Sequence, residues 1–148
     1  MSDFDYGRSG NYFITICAKD KFELFGVIDD VGIKLSQLGQ SVDNTMRKIP
    51  QFYDIAIHNS VIMPNHLHMI IEMRKPQATL SQIISQYKRA VSIDAGYSPW
   101  QKSFHDHIIR DDDDFVRIAK YVDNNLRTWQ EDCFHPLNVG ATICRPLR

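Results

Sequence analysis

The chain has 148 residues, of which 43% are hydrophobic and 24% are charged, and its formal net charge is −1. These values are typical of a folded domain, and they exclude a disordered chain and the global basicity of many nucleic-acid binders. We expect one domain over residues 1–148, with its core between about 10 and 130. We also expect a cytoplasmic protein, because no run reaches the roughly 18 apolar residues of a membrane span and the N-terminus lacks the apolar segment of a signal peptide.

The first predicted elements are a strand and an amphipathic helix. The segment Asn11–Cys17 is rich in β-branched and aromatic residues, which favours a strand. Asp29 or Asp30 can cap the helix that follows, and Pro50 ends it. The apolar face of this helix consists of residues spaced three and four apart: Val31, Leu35, Leu38, Val42 and Met46.

Two strands and a second helix come next. Residues 52–63 and 66–73 are apolar segments joined by the turn Pro64-Asn65, which predicts an antiparallel pair. Thr79 and Gln82 have the spacing of a capping box at the start of a helix, and Gly96 breaks that helix. Its apolar stripe is Leu80, Ile83, Ile84, Tyr87 and Val91.

The last predicted elements are a short strand at Phe104–Ile109 and a third helix, which runs from the aspartates Asp111–Asp114 to about Gln130. Acidic side chains favour the positive end of a helix dipole, so we interpret the aspartates as a cap rather than a metal cage. The element order predicts an α+β, ferredoxin-like split βαβ fold. In that fold an antiparallel sheet carries two helices on one face, and here a C-terminal helix bearing Tyr121 is added. The residues from His135 onward are not assigned.

Two histidines in the predicted third strand form a candidate metal site. Side chains alternate along a strand, so His66 and His68 point to the same face, about 7 Å apart along the strand. Neutral imidazole is the commonest protein metal ligand. A lone His-x-His pair is weak evidence, and taken alone it favours ordinary strand residues with satisfied hydrogen bonds.

The third helix can supply the other half of such a site. Tyr121 and Asn125 are four residues apart, which places a phenol and an amide on the same margin of the apolar face. If this helix packs on the strand that carries the histidines, the four groups converge. Two imidazoles and an amide oxygen suit Mg²⁺ or Mn²⁺, which can withdraw charge from a phosphodiester while a tyrosine oxygen attacks it. Tyr121 could instead be a half-buried boundary aromatic.

Four stretches together resemble a known family. They are Met63–His68, Ile84–Arg89, Trp100–Arg110 and Ile118–Asn125, in the family's order and spacing, within residues 10 to 130. The chain resembles the single-tyrosine HUH transposases, and most of all the REP-associated tyrosine transposases, which are relatives of insertion-sequence transposases.

The resemblance implies metal-dependent cleavage and rejoining of single-stranded DNA, usually beside a hairpin, through a 5′-phosphotyrosine intermediate and without a nucleotide cofactor. By motif position, Tyr121 would be the nucleophile, and His66, His68 and Asn125 would hold Mg²⁺ or Mn²⁺. The resemblance also implies a homodimer, in which the tyrosine helix can act in cis or in trans. Leu126 stands where the family often has proline, so the third helix could run longer here.

Several other residues carry open interpretations. Lys88 and Arg89 could contact DNA phosphates or be ordinary surface charges. His105 and His107 form a second alternating pair that fits a structural strand better than a metal site. Trp100 and Phe104 could stack on bases, although core packing is favoured. The cysteines are Cys17, Cys133 and Cys144; their odd number and wide spacing predict reduced thiols.

Two other functions compete with DNA cleavage and rejoining. A non-catalytic module on the same fold would bind DNA or RNA and retain the site without turnover. A small metallohydrolase acting on nucleotides would be the third possibility, but its histidine-triad form needs a third alternating imidazole, and position 70 is isoleucine.

Overall fold

A computed structural model describes residues 10–74 and 78–129 of the chain. Its strands are β1 (Gly10–Ala18), β2 (Gly26–Ile28), β3 (Ile33–Leu35), β4 (Ile55–Ile62), β5 (His66–Met73) and β6 (Trp100–Ile109). Its helices are α1 (Gln37–Lys48), α2 (Leu80–Ala95) and α3 (Asp112–Asn124). The predictions for Cys133, Cys144 and the tail from His135 lie outside the described residues. No helix among the described residues is long and apolar enough to cross a membrane.

The main sheet has four strands in the order β4-β5-β1-β6, and every neighbouring pair is antiparallel. With α1 between β1 and β4, and α2 between β5 and β6, this is the order and connectivity of a split βαβ fold. The predicted α+β architecture is therefore confirmed.

The two faces of the sheet bury different sets of residues, because side chains alternate along each strand. On one face, Tyr12, Ile14 and Ile16 pack with the apolar stripes of α1 and α2 in the main core. On the other face, Phe13 and Ile70 pack with α3 in a smaller cluster, whose other buried members are Ile109, Ile118 and Val122. Since His66 and His68 alternate in step with Ile70, they lie on the face that α3 covers.

The start of the first helix was predicted wrongly. The segment around Asp29 forms a small hairpin between β2 and β3 instead of a helix cap, and the side chain of Asp29 accepts hydrogen bonds from the backbone amides of Val31 and Gly32. Aspartate serves a tight turn as readily as a helix end, because its short carboxylate reaches the next backbone amides in both. The helix begins later, where the Ser36 hydroxyl accepts from the Gly39 amide.

The other element boundaries agree with the sequence more closely. The capping box of Thr79 and Gln82 is present, and the stripe of α2 is buried as predicted. Asp111 caps α3 through the Asp114 amide, which confirms the interpretation of the aspartates. β4 begins at Ile55 instead of Phe52, and β6 begins at Trp100 instead of Phe104. α3 ends at Asn124, earlier than the predicted Gln130, although no proline stops it.

Replacing Gly39 with alanine should destabilise the fold. A Cβ atom at this position would lie 2.0 Å from the backbone oxygen of Phe25, so the helix would have to move away from the hairpin. We expect the free energy of unfolding, measured by urea denaturation, to fall by about 3 kcal/mol. The matched control is Gln40→Ala, an exposed change on the same helix, which should stay within about 0.5 kcal/mol of wild type. A Gly39→Ala variant as stable as wild type would contradict this close packing, because helix propensity alone favours alanine.

Candidate active site

His66 and His68 lie side by side beneath α3, and both are fully buried. Their ring centroids are 4.7 Å apart. Each ring uses its Nδ1 atom in a hydrogen bond: His66 with Oδ1 of Asn65, and His68 with Oγ1 of Thr15, both at 2.8 Å. Such bonds fix ring orientation and leave Nε2 as the atom that can meet a ligand.

The hydrogen bonds of Asn65 determine which nitrogen of His66 carries the proton. The Nδ2 group of Asn65 donates to the backbone oxygen of Lys21 at 3.3 Å. A carbonyl can only accept, so the amide NH₂ faces Lys21 and the amide oxygen faces His66. The His66 Nδ1 atom must therefore donate, and its Nε2 atom carries the lone pair.

Burial keeps both imidazoles neutral. It lowers the pKa of His68 to about 3. Burial also lowers the pKa of His66 well below its usual value; His68 and Lys21 lower it further, and contact with the Asn125 side chain opposes the shift. Neutral imidazoles are the form that binds metals, and their low pKa values mean that protons do not compete for Nε2 near neutral pH.

The described residues bring the tyrosine helix onto the same site within one chain. The Tyr121 ring packs edge-on to His68 with centroids 5.4 Å apart, and edge-on to Phe13 at 6.1 Å. Asn125, one turn later, is 1% exposed and contacts His66. All four residues singled out from the sequence therefore converge, with Tyr121 beside the histidines of its own subunit.

Three side-chain contacts outside the apolar cluster hold α3 in this position. Near its C-terminal end, Asp123 accepts a hydrogen bond from Asn59 of β4 at 2.8 Å. Near its start, Asp114 pairs with His107 of β6 at 3.2 Å, and Phe115 packs edge-on to His58 of β4. Because these contacts lie at both ends of the helix, they fix the turn that presents Tyr121.

Trp129 belongs to the site, and the sequence did not reveal it. Its ring lies 6.1 Å from His66, and the residue is 7% exposed. The predicted third helix, which ran to about Gln130, would have included Trp129. Because α3 ends at Asn124, a turn brings the indole against His66 instead. The helix end carries no proline or glycine signal, so sequence reasoning had nothing from which to find this.

The residues present suit a divalent metal ion. Within the described residues, the side chains of His66, His68 and Asn125 are buried next to one another. Two imidazole nitrogens and an amide oxygen form a mixed N/O donor set. Among the described residues no group of three or more His, Cys, Asp or Glu side chains could hold a metal ion, and Asn125 is the further donor that the structure places against His66.

The other candidate residues lie away from the histidine pair. Lys88 and Arg89 are on α2, on the opposite face of the sheet from α3, where Arg89 is exposed. The Lys88 ammonium donates to the backbone oxygens of Gln101 and Lys102, and burial lowers its pKa. His107 pairs with Asp114, as expected for a structural strand residue.

The candidate base-stacking aromatics belong to the main core. Trp100 is 6% exposed and packs with Phe25 and Tyr87, and Phe104 packs against the same core. The favoured interpretation of both residues as core aromatics therefore agrees with the structure.

Comparison with known proteins identifies the family. The family model described as "Transposase IS200 like" matches residues 10–125, a range that contains β1 to α3 and all four converging residues. The chain belongs to this family of IS200-like transposases. An uncharacterized protein from Haemophilus influenzae is 33% identical in an alignment of 159 positions. The alignment covers 89% of this chain and 88% of the relative.

Two solved structures share the fold. A REP-associated tyrosine transposase bound to a REP hairpin superposes with a TM-score of 0.69 at 21% identity, covering 88% of this chain and 74% of that one. A protein assigned as a transposase from Deinococcus radiodurans gives a TM-score of 0.53 at 14% identity, covering 84% and 96%. The family match confirms the predicted membership of the insertion-sequence transposases, and the two solved structures confirm the predicted fold.

Replacing Asn65 with alanine should weaken metal binding without removing a ligand. The variant leaves His66 free to rotate and to take the other tautomer, and loss of such an orienting partner typically costs 10- to 100-fold in metal affinity. We expect about a 10-fold rise in the Kd for Mn²⁺, measured by isothermal titration calorimetry. Asn44→Ala, an exposed change on α1, is the matched control and should bind as wild type does. Unchanged affinity in the Asn65 variant would show that this amide does not set the tautomer.

Proposed function

We propose that this protein cuts and rejoins single-stranded DNA beside a hairpin through a covalent 5′-phosphotyrosine intermediate. The observation that carries the proposal is the convergence of Tyr121 with His66, His68 and Asn125 inside one chain. Family membership supports DNA processing of the transposase type. The hairpin as partner is proposed because a structural relative with the same fold is a transposase bound to a REP hairpin.

In this proposal His66, His68 and Asn125 would hold Mg²⁺ or Mn²⁺, which supplies positive charge to a phosphodiester oxygen. Tyr121 attacks phosphorus, so a bond forms between its phenolic oxygen and the phosphorus while the bond from phosphorus to the 3′ oxygen breaks. The phenolic proton is lost and the departing 3′ oxygen gains a proton. One ester replaces another, and rejoining reverses the step with a new 3′ hydroxyl, so no nucleotide cofactor is consumed.

The site must open before DNA can reach it. His66, His68 and Asn125 are at most 1% exposed, and Trp129 covers His66. Tyr121, by contrast, is half-buried at the margin of the site. We propose that Trp129 and the turn residues between it and Asn125 move aside when DNA binds, because the indole covers His66 and lies outside the helix, while Asn125 stays in the site. Expelling water from a closed site also strengthens the electrostatic interactions within it.

The same geometry bears on whether Tyr121 would act in cis or in trans. A homodimer is proposed on the family resemblance alone. Because Tyr121 already lies beside His68 of its own subunit, each subunit would hold a complete set of the four groups and could cut in cis.

The complete burial of both histidine rings also fits a second function. A non-catalytic nucleic-acid-binding module could keep buried histidines as structural residues, and the complete burial of both rings is what such a module would show. This alternative predicts binding to the same DNA without any covalent product.

A covalent adduct separates the two functions. Protein and hairpin DNA carrying single-stranded flanks are incubated with Mn²⁺ and then run on a denaturing gel. A band of protein joined to labelled DNA supports the cleavage function, and mass spectrometry should place the adduct on Tyr121. If a panel of hairpins that bind the protein gives no adduct, the binding module becomes the better account.

A further inference from the structure

We propose that a basic groove next to the histidine pair binds the phosphates of the single-stranded DNA that flanks the cleaved bond. The inference rests on the proposed function and deepens it, because it assigns a path to the substrate strand. The groove lies between the turn after β1 and the start of β6 and has a volume of about 680 Å³. Its lining residues are Lys19, Asp20, Lys21, Ser98, Trp100, Gln101 and Lys102.

The groove carries net positive charge in a chain whose overall charge is −1. Its lining includes three lysines and one aspartate, and Lys19, Lys21 and Lys102 are all exposed. The Lys88 ammonium adds charge from beneath, since it donates to the backbone oxygens of Gln101 and Lys102. Lysine contacts with phosphate supply most of the sequence-independent affinity for nucleic acids. The groove therefore supplies the local positive charge that binds a phosphate backbone, although the chain as a whole has a negative net charge.

The turn that forms one wall has a constrained shape. Asp20 and Lys21 both adopt left-handed backbone conformations, with φ of 55° and 59°, which are uncommon outside glycine, asparagine and aspartate. The turn is tied to the opposite wall by a hydrogen bond from the Lys19 amide to the Pro99 oxygen at 2.8 Å. Consecutive residues in such conformations persist where the surrounding structure demands them, often at binding sites.

Backbone and side-chain contacts link the turn that lines the groove to His66 in the candidate active site. Cys17, two residues before Lys19, pairs directly with His66 across β1 and β5. The backbone oxygen of Lys21 accepts from Asn65, whose other amide atom holds His66. A strand whose phosphate sits at the histidines would thus pass Lys21 within a nucleotide or two.

Single-stranded DNA fits this position better than a duplex stem. The bond that Tyr121 would attack lies in an unpaired segment, so the adjoining nucleotides are unpaired as well. Proteins that hold single strands commonly track the backbone with a positively charged groove. The indole of Trp100 forms part of the buried floor and packs with Phe25 and Tyr87, so it is not available for base stacking. The groove thus favours phosphate contacts over base stacking.

The test compares two charge-matched triple variants. The groove variant is Lys19→Gln, Lys21→Gln and Lys102→Gln. The control variant is Lys34→Gln, Arg47→Gln and Lys48→Gln, which removes the same charge from exposed positions on β3 and α1. Fluorescence anisotropy measures binding to one hairpin with single-stranded flanks and to the same hairpin without them, in EDTA so that no cleavage occurs.

The groove variant should bind the flanked hairpin at least about 10-fold more weakly than wild type, and the slope of log K against log salt should fall by about 2, as expected for three phosphate contacts on a single strand. Binding to the hairpin without flanks should be unchanged, and the control variant should bind both DNAs as wild type does. Three results would overturn the proposal: equal loss on both DNAs, equal loss in both variants, or no loss at all.

The outcome is distinguishable from failure of the proposed function. If wild type forms the Tyr121 adduct while the groove variant binds flanked DNA normally, only the groove assignment is wrong. If the groove variant loses the flank-dependent affinity while no hairpin gives an adduct, the groove holds single-stranded DNA and the catalytic proposal fails.

Discussion

Tyr121→Phe should abolish the covalent protein–DNA adduct. The change removes one oxygen atom, and without it no bond to phosphorus can form, so we expect loss of at least about 1,000-fold in the rate of adduct formation. Binding of the hairpin should be nearly unchanged, because the ring that packs against His68 and Phe13 remains. Denaturing gels with labelled DNA measure the adduct, and anisotropy measures binding.

The matched control is Tyr97→Phe, the same chemical change at an exposed residue that follows α2. It should form the adduct at the wild-type rate. An adduct of undiminished yield in the Tyr121→Phe protein would show that another residue is the nucleophile, and the role assigned to α3 would then be wrong. Loss of both binding and adduct would point to a disturbed fold, which thermal unfolding of the variant would reveal.

The sequence allowed prediction of the pairs within the site because each pair depends on local periodicity. His66 and His68 share a face by strand alternation, and Tyr121 and Asn125 share a face by helical periodicity. Convergence of the pairs required α3 to pack on the histidine face. That choice depends on a small apolar cluster, in which Phe13 meets Ile118 and Val122 from distant parts of the chain. Periodicity indicated which residues on α3 were apolar, but only the fold indicates which face of the sheet they cover.

Features that depend on the ends of elements could not be predicted. Asp29 has the sequence of a helix cap, yet its carboxylate serves a hairpin turn, because the same short side chain satisfies either arrangement. The placement of Trp129 over His66 follows from the end of α3 at Asn124, which no residue type marks. The sequence also had no signal for the orienting role of Asn65, which appears only when the Lys21 oxygen lies across from its amide.

The lysines of the groove could not be predicted from the sequence either. Lys88 was considered either as a phosphate contact or as a surface charge, and its ammonium donates to the backbone of β6 at the floor of the groove. Lys19, Lys21 and Lys102 are not adjacent in sequence and form no run that would attract notice. They come together because β1 and β6 pair, with Ala18 opposite Trp100. When a phosphate-binding surface is assembled across strands in this way, counting charges that are neighbours in the sequence does not detect it.

His68→Gln should remove the stabilisation that Mn²⁺ gives to the wild-type protein. A metal that binds only the folded state at 100 times its Kd adds about 2.7 kcal/mol to the free energy of unfolding. For a chain of this size, that corresponds to a rise in Tm of about 5–10 °C. With one of two imidazole ligands replaced by an amide, the rise should fall close to zero at the same Mn²⁺ concentration. Thermal unfolding followed by circular dichroism, with and without Mn²⁺, measures both proteins.

The control is His105→Gln on β6, the same substitution in the second alternating histidine pair. His105 is exposed, and it pairs with Thr15 on the opposite side from His68, so it tests whether any histidine on this face would serve as a ligand. We expect the full Mn²⁺-dependent rise in the His105→Gln protein. A wild-type protein with no rise at saturating Mn²⁺ would contradict the metal site directly. Equal loss in the two variants would make His105 a ligand together with His68, and the donor set proposed for this site would then be wrong.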